Sequence, residues 1–357
     1  MFKRIIRYIR RQMLKSSRYR WYAFTPQISL ETITPLLASY STWAAGGRLM
    51  KKGEGGRAVP LSREELQANR RLGQKTVVYV CDGRTIAGGL ADRFKGLLSL
   101  YAICRELGYD FRIHYTHPFR LEDYLPPAAY DWRIAPEELR YEEAAMLVLE
   151  NTEDSDYQTR KQVQWLRRRL QEGPAMMHVI TNSNYAYELD YDRLFAHLFR
   201  FSDRLREALE AERQRLGEYV SVSARFLSML GDFKETGENS SLPEAEAEAL
   251  MARCLRQIEQ LHEQHPESTI LVNSDSMRFL QRAAVLPYIY IVEGRVAHTD
   301  LMDSEGADAM HLKLFLDFFL ISRASHIYLL RTGLMRVSGF PYAASRLTGA
   351  PFSIIEF

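Results

Sequence analysis

Cysteine is scarce in this chain: Cys81, Cys104 and Cys254 are the 3 in 357 residues, and none stands in CxxC spacing. So sparse and odd a set excludes a disulfide framework and a cysteine-built zinc site, and suits reduced thiols. Long apolar runs are missing too. No stretch reaches the roughly 18–20 continuous apolar residues of a membrane span. The N-terminal residues lack the unbroken apolar core of a signal peptide, so a cytoplasmic location is expected. An excess of one charge is also lacking. The net charge is +2, too near neutral to make nucleic acid the expected partner. The strict phosphate-loop patterns GxxxxGK[ST] and GxGxxG are absent.

No acidic residue precedes Glu31, and the same segment carries Lys3, Arg4, Arg7, Arg10, Arg11, Lys15, Arg18 and Arg20. Phe2, Ile5, Ile6, Ile9 and Met13 recur at helical spacing, opposite most of these cations. A basic amphipathic helix over 1–24 can lie on an anionic membrane surface. It can equally pack on its own domain with its charges solvated. The glycine-rich stretch AAGGRLMKKGEGGRAVP reads as a flexible linker, so residues 1–60 are expected to be an extension and linker.

From Lys75 onward, apolar runs of strand length alternate with helical patterns. TVVYVC, FRIHY and AMMHVIT form a first series; YVSVSARF, TILVNSD, YIYIV, HIYLL and FSIIEF form a second. Such alternation implies α/β domains with parallel sheets. The length exceeds what one hydrophobic core commonly supports. Two Rossmann-like domains facing a cleft are expected, over 70–205 and 215–357. Ligands in such folds bind beyond the carboxyl ends of the strands.

Four strand-end loops are therefore the places to look. In GGLADRFKG, Gly88 and Gly89 precede a helix whose free N–H groups suit an anion, with Arg93 on the first turn. An ordinary tight turn would use the same glycines. In YVSVSARFLSMLGDFKE, Arg225 follows an alternating strand and is placed to grip a diphosphate, or else is neutralised by Asp232. Asp232 and Glu235 are carboxylates within reach. LVNSDS ends in Asp275, either a helix cap or a contact to a base or ribose. The last loop places Ser338, Gly339 and Phe340 at the start of a short helix, where N–H groups suit phosphate. Ser241 or Ser240 is expected to cap the helix beginning near Pro243. Asp154-Ser155-Asp156 spells DxD but sits in a polar stretch, so no metal site is expected there.

These motifs together resemble the fucosyltransferase superfamily. GGLADRFKGLLSLYAICRELG resembles its GGLGNQ or GLGNR element. VSVSARF is similar to VxVHxRR, placing Arg225 on the diphosphate-holding arginine. LVNSDS resembles the SDD strand end, with Asp275 on the acidic position, and Asp317, Ser338, Gly339 and Phe340 fall on the last element. Ala91, Asp92, Ser223 and Phe226 depart from the pattern. The resemblance implies a GT-B fold of two Rossmann-like domains, the first on the acceptor side and the second binding the nucleotide sugar. It implies an inverting, metal-independent, cofactor-free glycosyltransferase that transfers fucose from GDP-fucose to a glycan or lipid-linked glycan in surface polysaccharide synthesis. Arg225 would stabilise the leaving diphosphate, with Asp232, Glu235 or, on the acceptor side, Glu122 or Asp123 as base. The alternatives are a transferase for another nucleotide sugar and a non-catalytic binding protein.

Overall fold

The computed structural model describes residues 42–45, 48–52, 54, 58–83, 87–141, 143–149, 156–182, 189–233, 241–296, 299, 307–333, 335 and 337–357. The basic segment 1–24 and Glu235 lie outside the described residues, as do Asp154 and Ser155. The chain divides into two compact units. One holds the residues up to Gly88, Asp92–His117 and Pro127–Asp190; the other holds Gly89–Ala91, Pro118–Pro126 and Tyr191–Phe357.

The first unit is built on a seven-stranded sheet in the order β3-β2-β1-β6-β7-β4-β5. Its strands are β1 (Thr42–Ala45), β2 (Arg48–Lys52), β3 (Ala58–Pro60), β4 (Thr76–Cys81), β5 (Asp110–Tyr115), β6 (Ala145–Leu149) and β7 (Met176–Thr181). β1, β6, β7, β4 and β5 run parallel; β2 and β3 continue the sheet antiparallel. The residues Val77–Cys81 and Met176–Thr181 are buried throughout, the pattern of strands covered on both faces. Helix α1 (Arg63–Arg70) starts in a reciprocal cap between Ser62 and Glu65. Helix α2 (Leu90–Leu107) links β4 to β5, and α3 (Asp156–Glu172) links β6 to β7.

Residues 44–60, expected to be a flexible linker, correct that reading. Thr42–Ala45, Arg48–Lys52 and Ala58–Pro60 pair into the sheet, and Leu49 is buried. The glycines between them allow turns between short strands as readily as free coil.

One lysine fixes the end of α3. Lys75 is 1% exposed, and its Nζ donates to the carbonyls of Leu170, Gln171 and Gly173 at 3.0, 2.5 and 2.8 Å. These are carbonyls at the helix C-terminus, where a cation also meets the negative end of the dipole. Burial pulls the ammonium down to about 8, opposed by the nearby Glu172 carboxylate.

The second unit carries a five-stranded, wholly parallel sheet in the order β10-β9-β8-β11-β12. These are β8 (Tyr219–Ala224), β9 (Thr269–Ser274), β10 (Ile289–Tyr290), β11 (Ile327–Arg331) and β12 (Phe352–Glu356). Counted within the unit the order is 3-2-1-4-5, so the winding reverses between β8 and β11. Preceding the sheet are α4 (Tyr191–Leu198) and α5 (Asp203–Leu216). The connections are α6 (Glu244–Gln264), α7 (Met277–Ala283), α8 (Ala307–Ile321) and α9 (Gly339–Arg346). Val220, Val222, Ala224, Ile270 and Val272 share one core cluster with Met251, Cys254, Ile258 and Leu261 of α6 and Phe279 and Leu280 of α7. The α6 N-cap is Pro243, without a side-chain cap bond, so Ser241 does not cap it.

The short segment Pro118–Pro126 belongs to this second unit. Phe119 meets His311 and Phe315 edge-on, and Tyr124 stacks on Phe315 at 4.6 Å. Tyr124 also donates to Asp308 Oδ1 at 2.9 Å, and Arg204 grips the same carboxylate through both Nη atoms at 2.8 and 2.6 Å. Glu122 and Asp123, expected on the acceptor-side domain, therefore lie in the second unit.

Candidate functional site

In the first unit, Gly88 has φ +76°, a left-handed conformation that favours glycine. Its carbonyl accepts from Arg93 Nε at 2.8 Å. Arg93 is only 1% exposed, and Nη1 donates to Tyr115 OH at 2.8 Å and the His117 carbonyl at 2.7 Å, with Cys81 Sγ at 3.2 Å. A ligand-facing arginine was expected; the structure instead spends this guanidinium on tying the glycine turn to the ends of β4 and β5. Gly96 was not singled out from the sequence. A Cβ there would stand 2.4 Å from the Thr181 carbonyl, so only glycine lets α2 lie so close to the end of β7. Its signal was the third glycine of GGLADRFKG.

In the second unit, three of the four loops leave the carboxyl edge of neighbouring strands β9, β8 and β11. Arg225 directly follows β8, at the point where the winding reverses, and is half-buried. The next residue, Phe226, is fully buried, with its ring 4.9 Å from that of Phe279. Position 226, where the resemblance would put a second arginine, is thus an apolar anchor holding the loop in the core. Leu227 then takes φ +56°.

Two carboxylates lace the β8 and β9 loops together. Asp275, after β9, accepts from the Phe226 N–H on Oδ1 and the Leu227 N–H on Oδ2, each at 2.8 Å. Asp232, from the β8 side, accepts on Oδ2 from Ser276 Oγ at 2.9 Å and the Arg278 N–H at 2.8 Å. Ser276 itself caps α7 through the Phe279 N–H. Asp232 therefore holds the neighbouring loop through Oδ2. Burial pushes the Asp275 carboxyl up to about 6; the two N–H groups and the Arg225 guanidinium pull it back.

The fourth loop gives α9 its start. Ser338, buried, accepts from the Phe340 N–H at 3.4 Å; Gly339 is exposed, and Phe340 meets Phe318 edge-on. Asp317 is a buried partner of Lys313, 3.2 and 3.0 Å from Nζ, and the same ammonium donates to the Val292 carbonyl. This pair ties α8 to the loop after β10. On β8, Ser223 pairs across strands with Asn273. The Oγ atoms of Ser221 and Ser223 and the Nδ2 of Asn273 are buried without a hydrogen-bond partner among the described residues. Buried polar atoms of this kind are uncommon in folded proteins. Among the described residues, no 3 His, Cys, Asp or Glu side chains are grouped to hold a metal ion. No described helix is long and apolar enough to cross a membrane.

No protein-family model matches the chain, and no curated protein matches it in sequence. Solved structures do resemble it. The alpha-1,6-fucosyltransferase NodZ, from Bradyrhizobium, soaked with GDP-fucose is 13% identical, covers 80% of this chain and 95% of its own, and gives a TM-score of 0.50. NodZ co-crystallized with GDP gives 13% identity, 80% and 96% coverage and a TM-score of 0.51. A variant of Arabidopsis thaliana FUT1 in complex with GDP gives 12%, 82% and 73% coverage and a TM-score of 0.48. In fold, this chain is a fucosyltransferase-like α/β protein with two predominantly parallel sheets.

Proposed function

We propose that the chain is a GT-B glycosyltransferase that takes a nucleotide-diphosphate sugar, with GDP-fucose the first donor to test. The supporting observation is Arg225. A permanent guanidinium leaves the central strand where the winding order reverses, on a loop anchored by Phe226 and bonded to its neighbour by Asp275 and Asp232. That position and that chemistry suit a diphosphate. The Gly339 N–H, in the first turn of α9 between Ser338 and Phe340, would add a phosphate contact.

The reaction is a direct displacement. The acceptor hydroxyl oxygen bonds to the anomeric carbon as the bond from that carbon to the diphosphate oxygen breaks. The bonding pair leaves on the nucleoside diphosphate, and the anomeric configuration inverts. Arg225 stabilises the charge that builds on the leaving group. The hydroxyl proton passes to a carboxylate, Asp232 through its Oδ1 or Glu235, or to water. The acceptor would be a glycan or lipid-linked glycan of a surface polysaccharide. Residues 1–24 would then hold the enzyme at an anionic membrane face, which co-sedimentation with anionic vesicles, with and without those residues, would check.

The deciding experiment is calorimetric titration of the protein with GDP, UDP, CDP and ADP, with and without Mg²⁺. GDP should bind best and independently of the metal. Arg225→Ala should weaken binding roughly 10- to 100-fold, as expected for hydrogen bonds to a charged group worth about 1.5–3 kcal/mol. Preference for another base would replace the donor; no binding by any of the four would leave a non-catalytic protein.

A further inference from the structure

We infer that Asp275 is a positioning residue for Arg225 rather than a donor contact: its carboxylate holds the backbone of residues 226–227 in the one conformation that presents the guanidinium. The inference rests on the proposed role of Arg225 and deepens it.

The geometry is specific. Each carboxylate oxygen is taken by one N–H of the β8 loop, Phe226 on Oδ1 and Leu227 on Oδ2, both at 2.8 Å. The second of these residues has φ +56°, which an L side chain adopts only at a cost. Phe226 pins the loop from the core side and Asp275 pins it from the opposite loop. Arg225 sits between strand β8 and these two fixings, so its backbone has little freedom left. The charged side chain that acts on Asp275 is Arg225, on the facing β8 loop; the Arg278 guanidinium is taken by Glu244 and Glu248. The Asp232 bonds to Ser276 Oγ and the Arg278 N–H reinforce the same loop pair from the other direction. A carboxylate with both oxygens bound to backbone is badly placed to serve as a ligand for a base or ribose as well.

The sign of the effect separates this role from simple electrostatics. Asp275 is a negative charge near a site for an anion, so removing that charge alone would strengthen donor binding. If Asp275 positions Arg225, removing the charge weakens binding instead. Asp275→Asn keeps shape and one acceptor but turns an NH₂ group toward one of the two N–H donors.

The test compares wild type, Asp275→Asn, Arg225→Ala and the double variant, using GDP-fucose as the calorimetric ligand. Amide hydrogen exchange over residues 224–230 is followed in the same chains. We expect Asp275→Asn to weaken GDP-fucose by about tenfold, the loss of one charge-assisted hydrogen bond. In the Arg225→Ala background the same change should cost little more, the non-additivity of residues that act through one another. Exchange of the Phe226 and Leu227 amides should be slow in wild type and faster in Asp275→Asn. Tighter donor binding in Asp275→Asn, a loss fully additive with Arg225→Ala, or unchanged exchange would each overturn the inference. Fast exchange of these two amides in wild type would overturn it without any variant. If wild type binds none of the nucleotides, the transferase reading falls, while the exchange data still decide the loop-holding role.

Discussion

At residue 275 two demands pull in opposite directions. Burial raises the carboxyl to about 6, above the ordinary value of an aspartate in an unfolded chain. Between about pH 4 and pH 6 the folded chain therefore holds a proton that the unfolded chain has released, so the contribution of Asp275 to stability falls as pH rises through that window. Urea unfolding of wild type and Asp275→Asn should show it. The wild type should lose up to roughly 3 kcal/mol against the variant between pH 4 and pH 7, and parallel curves would refute it. Arg225 was legible in the sequence, since an arginine directly after an alternating strand falls at a carboxyl end. Arg93 was misleading for the converse reason. Its neighbouring glycines suggest an exposed turn, but Tyr115 and the His117 carbonyl that claim it come from elsewhere in the chain.

At the scale of elements, the join between Lys75 and the end of α3 depends on contacts about a hundred residues apart. Lys75→Met should lower stability by about 2–3 kcal/mol, because carbonyls at the helix end and just beyond lose their donor inside the protein. Denaturant unfolding with an unchanged slope and a lower midpoint would show this; an unchanged midpoint would mean water replaces the ammonium. Strands with β-branched, continuously apolar runs were readable from sequence, and α2 was expected over its observed span, Leu90–Leu107. β6 was not recognised, because Ala145-Met-Leu-Val-Leu suits helix and strand equally until its partners β1 and β7 are known. α3 escaped because its apolar stripe is thin among arginines and glutamines. The stretch Tyr191–Leu216 is two helices, separated around Phe199–Ser202, where Ser202 caps the second. β2 and the edge strand β3 were hidden by their glycine-rich connections.

At the scale of the molecule, the two sheets follow one another along the chain, but the two compact units around them are not two consecutive pieces. The helices α4 and α5 precede the second sheet in sequence yet belong to its unit, and Pro118–Pro126, far upstream, does too. Phe119 and Tyr124 cover His311 and Phe315 of α8, a debt the C-terminal half cannot settle from its own residues. Residues 191–357 produced alone should therefore aggregate or unfold at low denaturant. A peptide spanning 117–127 added in trans should restore part of that loss, and a stable, soluble fragment that ignores the peptide would contradict this. For recombination, natural or deliberate, the consequence is direct. A single crossover near residue 190, between the two long segments, parts Tyr191–Phe357 from the nine-residue strap it packs against, so that segment cannot be traded between relatives as a cassette unless Pro118–Pro126 travels with it.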